Sequence, residues 1–320
     1  MSSKIVVTGG CGFVGHTLTT TLLELGHRVR VIDAMWFGNF LPEHENLEII
    51  NTDIRDMDES CFDGVDSVFH LANVANDPCS DLNSKLNWEV NALASMQMVE
   101  KAIQKKVKQF VFASSGSVYG VKEEPLVTEE LSLVPFSDYN KTKMISERVL
   151  LSYADKILIS CIRPATVCGY SPRMRLDLSV NMLTMQALTN QKITVFGGDQ
   201  TRPNIHIRDL VSVYVHALNN PEKMIGIFNA GFENISIMEI AERVVRHVPA
   251  EIIVTESNDP RSYRLSSQKL LDTGFAPKSS VEEGILEVID AYHSGKLKME
   301  DRYFNVKTMV RLIGENKIEV

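Results

Sequence analysis

The chain has 320 residues, of which 44% are hydrophobic and 23% charged, a composition typical of a globular protein with one or two closely packed domains. The formal net charge of −8 argues against a general nucleic-acid binder, which normally carries a basic patch. No apolar run reaches the roughly 18 residues that a membrane span requires. The N-terminus lacks a signal-peptide layout, and five cysteines without a C-x-x-C pair suit a reducing compartment. We therefore expect a cytoplasmic protein with no nucleic-acid or membrane partner.

The first half of the chain alternates predicted strands and helices. Apolar runs bounded by small or polar residues predict strands at Lys4–Thr8, Arg28–Ile32, Leu47–Asn51, Ser67–Leu71, Gln109–Ala113 and Ile157–Ile162. Helical periodicity between them covers Val14–Leu25, Asn87–Lys105 and Asp138 to about Tyr153. Strand–helix–strand alternation of this kind predicts an α/β protein with a doubly wound parallel sheet.

The alternation loosens after Pro164, where a long Arg- and Pro-bearing segment precedes a predicted helix at about Leu178–Thr189 and a short strand at Ile193–Phe196. We expect a nucleotide-binding domain at residues 1–167, to which a segment of about 204–230 returns. Residues 168–320 are predicted to form a smaller, mixed α/β substrate domain. It should lie over the carboxyl edge of the sheet, where α/β proteins bind ligands.

A glycine-rich turn follows the first predicted strand. In "VVTGGCGFVG", Gly10, Gly12 and Gly15 have G-x-G-x-x-G spacing, and Gly9 adds a second spacing. Such glycines allow a tight turn and a close approach of the backbone to a pyrophosphate, which the following helix N-terminus attracts. Asp33 ends the next strand, where a carboxylate binds the adenosine ribose and repels a 2′-phosphate. The pattern predicts NAD, rather than NADP, as the cofactor.

Three polar residues suggest acid–base chemistry near this turn. Tyr139 and Lys143 in "SDYNKTK" are four residues apart, on one face of the third predicted helix. Ser115 lies in "SSGSVYG", directly after a buried strand. A tyrosine with a pKa of about 10 is a poor base at neutral pH, but nearby positive charge favours its phenolate. An amphipathic helix with a half-buried tyrosine and a snorkelling lysine is the alternative interpretation.

Together these motifs resemble those of the extended short-chain dehydrogenase/reductases of the nucleotide-sugar epimerase/dehydratase family. The matching segments are "TGGCGFVG", "TDIRD", "HLAN", "SSGSVYG", "YNKTK", "IRPATVCG", "QTRPNIHIRDL", "DPRSYRLSS" and "DTGFAP". They occur in family order over nearly the whole chain. The resemblance implies a Rossmann-type fold, a bound nicotinamide cofactor, a Ser/Thr–Tyr–Lys catalytic set and a nucleoside-diphosphate sugar substrate.

The resemblance also implies roles for individual residues. Ser115 would hold the reacting sugar hydroxyl, Tyr139 would be the acid/base, and Lys143 would bind the nicotinamide ribose. The cofactor-binding set adds to these last two Gly9, Gly12, Phe13, Val14, Gly15, Asp33, Asp53, Ile54, Leu71, Ala72 and Asn91, the last as a brace of the catalytic region. The substrate-binding set comprises Ser117, Arg173, Arg175, Asn181, Arg202 and Arg261. For each single arginine a solvated surface role remains the alternative.

Gly116 and Ser117 bear on the reaction. Family members that eliminate water carry Asp and Glu at these two positions, as general acid and base. Their replacement predicts hydride transfer at C4 without elimination, in a 4-epimerase or a 4-dehydrogenase of the kind found in polysaccharide biosynthesis. A 4,6-dehydratase, with Asp77 and Glu123 as the first candidates for acid and base, a 4-reductase and a non-catalytic NAD-binding regulator are the alternatives. No metal-ligand spacing surrounds His70 or His206. The family resemblance implies a homodimer in which the helices that carry Asn91 and Tyr139 pair across the dimer axis and form a four-helix bundle.

Overall fold

The structure, a computed structural model, describes residues 2–257 and 262–318. Within these ranges, no helix is long and apolar enough to cross a membrane. The strands are β1 (Lys4–Thr8), β2 (Arg28–Asp33), β3 (Leu47–Asn51), β4 (Ser67–His70), β5 (Gln109–Ala113), β6 (Leu158–Pro164), β7 (Thr166–Cys168), β8 (Lys192–Phe196), β9 (Thr201–His206), β10 (Gly226–Ala230), β11 (Glu233–Ser236) and β12 (Glu251–Thr255).

The α-helices alternate with these strands. They are α1 (Phe13–Glu24), α2 (Asp77–Ser80), α3 (Ser84–Trp88), α4 (Ala94–Gln104), α5 (Asp138–Leu151), α6 (Ser179–Asn190), α7 (Ile207–Asn219), α8 (Ile237–His247), α9 (Gln268–Leu271), α10 (Val281–His293) and α11 (Asn305–Gly314). Short 3₁₀ turns lie at Glu59–Phe62, Gly116–Tyr119 and Asp301–Tyr303, and a π-helical turn lies at Glu89–Leu93.

Seven parallel strands form the main sheet, in the order β10-β6-β5-β4-β1-β2-β3. Alternate residues of a strand face opposite sides of a sheet. Val7 of β1 therefore joins the core beneath α1 and α7, and Val6 joins the core beneath α4 and α5. Helices thus cover both faces, which is why the strands are continuous apolar runs. The predicted Rossmann-type, doubly wound sheet is confirmed.

The second unit is smaller and mixed. A three-stranded sheet has the order β11-β9-β7, and β8 pairs with β12 in parallel. Helices α6, α8 and α10 pack on these strands around a core that includes Leu183, Val244 and Ile285. This unit lies over the carboxyl ends of the main strands.

Two segments differ from the predicted domain boundaries. α7 packs beneath the main sheet and β10 extends it beside β6, whereas Asn204–His206 belong to β9 of the smaller sheet. α11 lies within the range predicted for the second unit, and its Met309 and Leu312 belong to the core that contains Val6.

The predicted helix Asn87–Lys105 is interrupted. α3 ends at Trp88, and the π-helical turn Glu89–Leu93 precedes α4. At the centre of this turn, the Asn91 amide accepts a hydrogen bond from Val74 N (2.8 Å) and donates one to Val74 O (3.1 Å). A side chain held in this way favours a local widening of the helix, and such bulges are frequent near functional sites.

Candidate functional site

A cavity of about 670 Å³ lies between the carboxyl ends of the main strands and the second unit. Most of the predicted site residues contribute to its wall. They are Gly9, Gly12, Phe13, Val14, Gly15, Asp33, Asp53, Ile54, Leu71, Ala72, Ser115, Ser117, Tyr139, Lys143, Arg173, Arg175 and Arg202. The sequence therefore identified residues that the fold brings to one place, although they are spread over some two hundred positions.

The glycine turn at one end of the cavity has the shape that a pyrophosphate requires. Gly9 has a φ of +71°, and a Cβ there would lie 2.6 Å from the backbone nitrogen of Ala72. The N-cap of α1, Gly12, provides no side-chain cap, so the first N–H groups of the helix are open to an anion in the cavity. The backbone thus fits the phosphate part of a dinucleotide.

Asp33 lies beside this turn, at the end of β2. Its carboxylate accepts hydrogen bonds from Cys11 N (2.9 Å) and Met35 N (2.7 Å), which fix its direction. Burial raises the pKa of Asp33, while these two N–H groups and the nearby Arg173 lower it. The arrangement places an acceptor where the adenosine ribose of a dinucleotide would lie.

Ser115, Tyr139 and Lys143 lie at the other end of the cavity. Ser115 follows β5, caps the 3₁₀ turn and lies close enough to Tyr139 to influence its pKa. Lys143 Nζ donates to Ala113 O (2.7 Å) and lies 6.0 Å from the centre of the Tyr139 ring. Tyr139 and Lys143 share a face of α5 because they are one turn apart. The three predicted catalytic residues are therefore neighbours.

Burial and nearby charges shift the pKa values of both Tyr139 and Lys143. Burial raises the pKa of Tyr139, and Asp77 raises it further, whereas the Ser115 hydroxyl and the charge of Arg175 lower it. Burial lowers the pKa of Lys143 to about 7, against the opposing effect of Glu147. Arg175 is thus a cation acting on Tyr139 that the sequence argument, which relied on Lys143, did not include.

An ion pair next to Tyr139 escaped the sequence analysis. Arg175 binds Asp177 through Nε (2.9 Å) and Nη2 (3.0 Å), and Asn76 donates to the same carboxylate (2.9 Å). Asp177 and Asn76 both line the cavity. The R-x-D spacing in "RMRLDL" was the available signal for this pair.

Two residues of the predicted ligand-binding sets lie outside the cavity wall. Asn91 is buried, and its amide binds the Val74 backbone, so it braces the segment that follows β4. Asn181 is also buried, donating to Arg175 O (3.1 Å) and accepting from Gly169 N (3.1 Å). Its amide thus links the backbone of the Arg175 segment to Gly169, away from the cavity wall.

Other predicted substrate residues have varied positions. The Ser117 hydroxyl lies 2.7 Å from that of Ser115 and donates to Asn140 Oδ1 (2.5 Å), so it positions Ser115. Arg202 lines the cavity from β9. Arg173 lies between Asp33 and the Arg175–Asp177 pair. Arg261 lies outside the described residues.

The remaining candidates are structural or peripheral. His70 joins Thr8 (2.7 Å) to Ser95 (2.8 Å) in the core, and His206 caps α7. Asp77 lines the cavity and accepts a hydrogen bond from Ser137 (2.6 Å), whereas Glu123 is exposed and away from the wall. In the part of the chain that the structure describes, no group of three His, Cys, Asp or Glu residues could hold a metal ion.

Comparison with known proteins agrees with this geometry. A UDP-glucose 4-epimerase from Corynebacterium glutamicum is 27% identical over 91% of this chain and 96% of its own length. UDP-glucuronic acid decarboxylase 1 of Xenopus tropicalis is 29% identical, over 89% of this chain and 71% of its own. The crystal structure of UDP-glucuronic acid 4-epimerase from Bacillus cereus, in complex with UDP-glucuronic acid and NAD, has a TM-score of 0.80 at 27% identity, covering 91% of this chain and 99% of that one. Since residues 5–231 also match the profile of the NAD dependent epimerase/dehydratase family, this chain belongs to that family.

Proposed function

We propose that this protein is an NAD-dependent nucleotide-sugar 4-epimerase, which oxidises C4 of a nucleoside-diphosphate sugar and reduces the keto sugar from its other face. The observation that carries the proposal is the convergence of Ser115, Tyr139 and Lys143 on the cavity that Gly12 and Asp33 also line. NAD agrees with the family and with the fit of the glycine turn. The names of the relatives, which include two 4-epimerases, support the substrate class.

Each catalytic residue has a defined task in this reaction. NAD, when bound, supplies the hydride acceptor. Tyr139 takes the proton of the C4 hydroxyl, and Ser115 holds the oxygen of that hydroxyl through a hydrogen bond. Ser117 and Asn140 fix the direction of the Ser115 hydroxyl. Lys143 is held by Ala113 O, from where it can bind a ribose hydroxyl and add positive charge near Tyr139.

Elimination of water is the second candidate reaction, and one observation favours it. Gly116 has no side chain and the Ser117 hydroxyl is engaged, so neither supplies an acid. Asp177 is engaged by Arg175. Asp77, however, lines the cavity and acts on the pKa of Tyr139, so that it could serve as the acid or base that elimination requires. The two reactions differ in the C6 oxygen of the sugar, which epimerisation keeps and elimination of water removes.

The reaction is tested with UDP-glucose and UDP-glucuronic acid that carry deuterium at C4. An epimerase gives the C4 epimer with the label returned to C4 and all oxygens retained. A dehydrogenase leaves the label on NADH, and a dehydratase gives a product lighter by one water. Either result would refute epimerisation. The matched control is Tyr139→Phe, which should still bind NAD but lose about 10²- to 10⁴-fold in rate because only the hydroxyl is removed.

A further inference from the structure

Arg173 is a buried cation in the segment between β7 and α6. Its side chain is 3% exposed, and its guanidinium lies 4.1 Å from the centre of the Phe37 ring. Nη1 donates to Met174 O (2.9 Å) and Nη2 to Asn305 Oδ1 (2.7 Å). The Nε–H group is buried without a hydrogen-bond partner. The fold therefore holds this guanidinium in place through neutral groups.

A buried guanidinium ordinarily requires an anion, because its desolvation is unfavourable and one N–H group here is unsatisfied. Among the described residues, the nearby carboxylates are committed elsewhere. Asp177 binds Arg175 and Asn76, and Asp33 accepts from two backbone N–H groups. Burial lowers the pKa of Arg173 to about 9, and the charges of Asp177 and Asp33 oppose this effect only partly. Among the described residues, no carboxylate forms a salt bridge with the Arg173 guanidinium, which is hydrogen-bonded to neutral groups only. An anionic ligand in the cavity could provide that direct partner.

The position of Arg173 indicates which part of a ligand would supply the negative charge. Arg173 interacts electrostatically with Asp33 at one end of the cavity and with the Arg175–Asp177 pair, next to Tyr139, at the other. Its neighbour Met174 packs with Phe13, the first residue of α1, in one core cluster. Arg173 thus lies near the open N-terminus of α1, between the adenosine and catalytic ends. In a dinucleotide, the group between the two nucleosides is the pyrophosphate.

Other cations of the cavity are less suited to this position. Of the described residues that line it, Lys143, Arg175 and Arg202 are the other cations. Lys143 donates to Ala113 O, and Arg175 is paired with Asp177. Arg202 lies on β9 of the second unit. The glycine turn itself offers N–H groups but no charge.

We propose that Arg173 binds the pyrophosphate of NAD, opposite the N-terminus of α1, and is a cofactor-binding residue rather than the substrate-binding residue that the sequence predicted. The proposal rests on the use of NAD in the proposed function. Asn305 and Phe37 are positioning residues, because they orient the guanidinium. The start of α11 thereby contributes to the cofactor site from the far end of the chain.

The experiment compares binding of ADP-ribose, adenosine and UDP to the wild-type protein and to Arg173→Gln by calorimetry. ADP-ribose carries the pyrophosphate, adenosine carries none, and UDP carries the diphosphate of the substrate. Arg173→Gln should lower the affinity for ADP-ribose by about 10- to 100-fold, since a charged hydrogen bond to phosphate is lost. Adenosine and UDP should be unchanged. Arg202→Gln is the matched control, and it should leave ADP-ribose unaffected.

Other outcomes would overturn the assignment. Loss of UDP binding with unchanged ADP-ribose binding would show that Arg173 binds the substrate and not the cofactor. Equal weakening of adenosine and ADP-ribose would give it a structural role only. If Arg173→Gln does not fold, Arg173→Lys keeps the charge, and it should weaken ADP-ribose alone and by a smaller factor; an equal effect on all three ligands would contradict the proposal. A wild-type protein that binds neither ADP-ribose nor NAD would refute the proposed function itself.

Discussion

We propose that Asp33 determines which nicotinamide cofactor can bind, because its carboxylate is fixed by Cys11 N and Met35 N in the wall of the cavity. A 2′-phosphate there would meet a like charge, which costs about 1–3 kcal/mol at partial burial. Asp33→Ala should therefore bind NADP more tightly relative to NAD, as measured by calorimetry. Asp33→Asn keeps the shape and removes the charge, so it should show most of the same gain. Unchanged NADP affinity in both variants would contradict the role of the charge.

The pH dependence of the reaction follows from the groups around Tyr139. Tyr139 accepts a proton only as the phenolate, so the rate of sugar oxidation rises with pH through its pKa. Arg175 lowers that pKa and Asp77 raises it. Arg175→Gln should therefore move the acidic limb of the kcat/KM profile to higher pH, by about one unit. Asp77→Asn should move it to lower pH. A shift in the same direction for both variants would mean that another group controls this limb.

Some site residues were predictable because their chemistry depends on short local patterns. Each of these residues lies at an end of a helix or strand, where its neighbours in sequence determine which way it faces. Examples are Gly12 before α1, Ser115 after β5 and Tyr139 in the first turn of α5. Arg173 was not predictable in this way. Its segment has no regular structure, and its partner Asn305 is 132 positions away. The sequence predicted that this arginine was important, but not which ligand it faces.

At the scale of elements, a buried ion pair joins α5 to β6. Arg163 donates to Glu147 through Nε (2.8 Å) and Nη2 (2.6 Å), and both side chains are buried. The pair holds the helix that carries Tyr139 and Lys143 against the sheet. Arg163 also donates to Tyr119 (2.7 Å), which ties the turn after Ser115 to the same pair. The catalytic residues of two elements are therefore supported together.

Glu147→Gln tests this pair. The substitution leaves the guanidinium of Arg163 buried without a counter-charge, so the free energy of unfolding should fall by about 3–5 kcal/mol. Urea denaturation provides the measurement. The control is Glu251→Gln at the exposed pair with Lys192 (3.5 Å), where the loss should be about 0–1 kcal/mol. Equal losses in the two variants would show that burial of the first pair has no special effect.

Six of the seven strands of the main sheet were predicted to within a few residues, because each is an apolar run bounded by polar residues. The seventh, β10, was not predicted as a strand. The break between α3 and α4 was not predicted, since helical periodicity continues through it. It depends on the contact of Asn91 with Val74, a residue that follows a different strand. The packing of α11 in the core of the first unit was not predicted either, because position along the chain does not show which core an amphipathic helix joins.

At the scale of the whole molecule, we propose that the protein is a homodimer in which α4 and α5 pair with their copies. Leu93, directly before α4, is 46% exposed, and Ile145 and Val149 of α5 are partly exposed. Apolar side chains on neighbouring helices are suited to a symmetric interface. The family resemblance points to the same helices.

Leu93→Glu should shift the protein from dimer to monomer, because the interface would bury an unpaired charge. Light scattering after gel filtration, over a range of concentrations, measures the mass. Leu25→Glu is the control: Leu25 is 54% exposed at the end of α1, on the opposite face of the sheet, and its substitution should not change the mass. A wild-type monomer at all concentrations would refute the dimer.

The return of α11 to the first unit has a consequence for biosynthesis. Met309, Leu312 and Ile318 share a core with Val6 and Val68, which lie in two of the central strands. A ribosome delivers those two strands long before it delivers α11. Domains commonly begin to fold while later residues are still being made, so this core stays incomplete until α11 has emerged. The apolar surface that α11 covers is therefore exposed during the synthesis of the second unit.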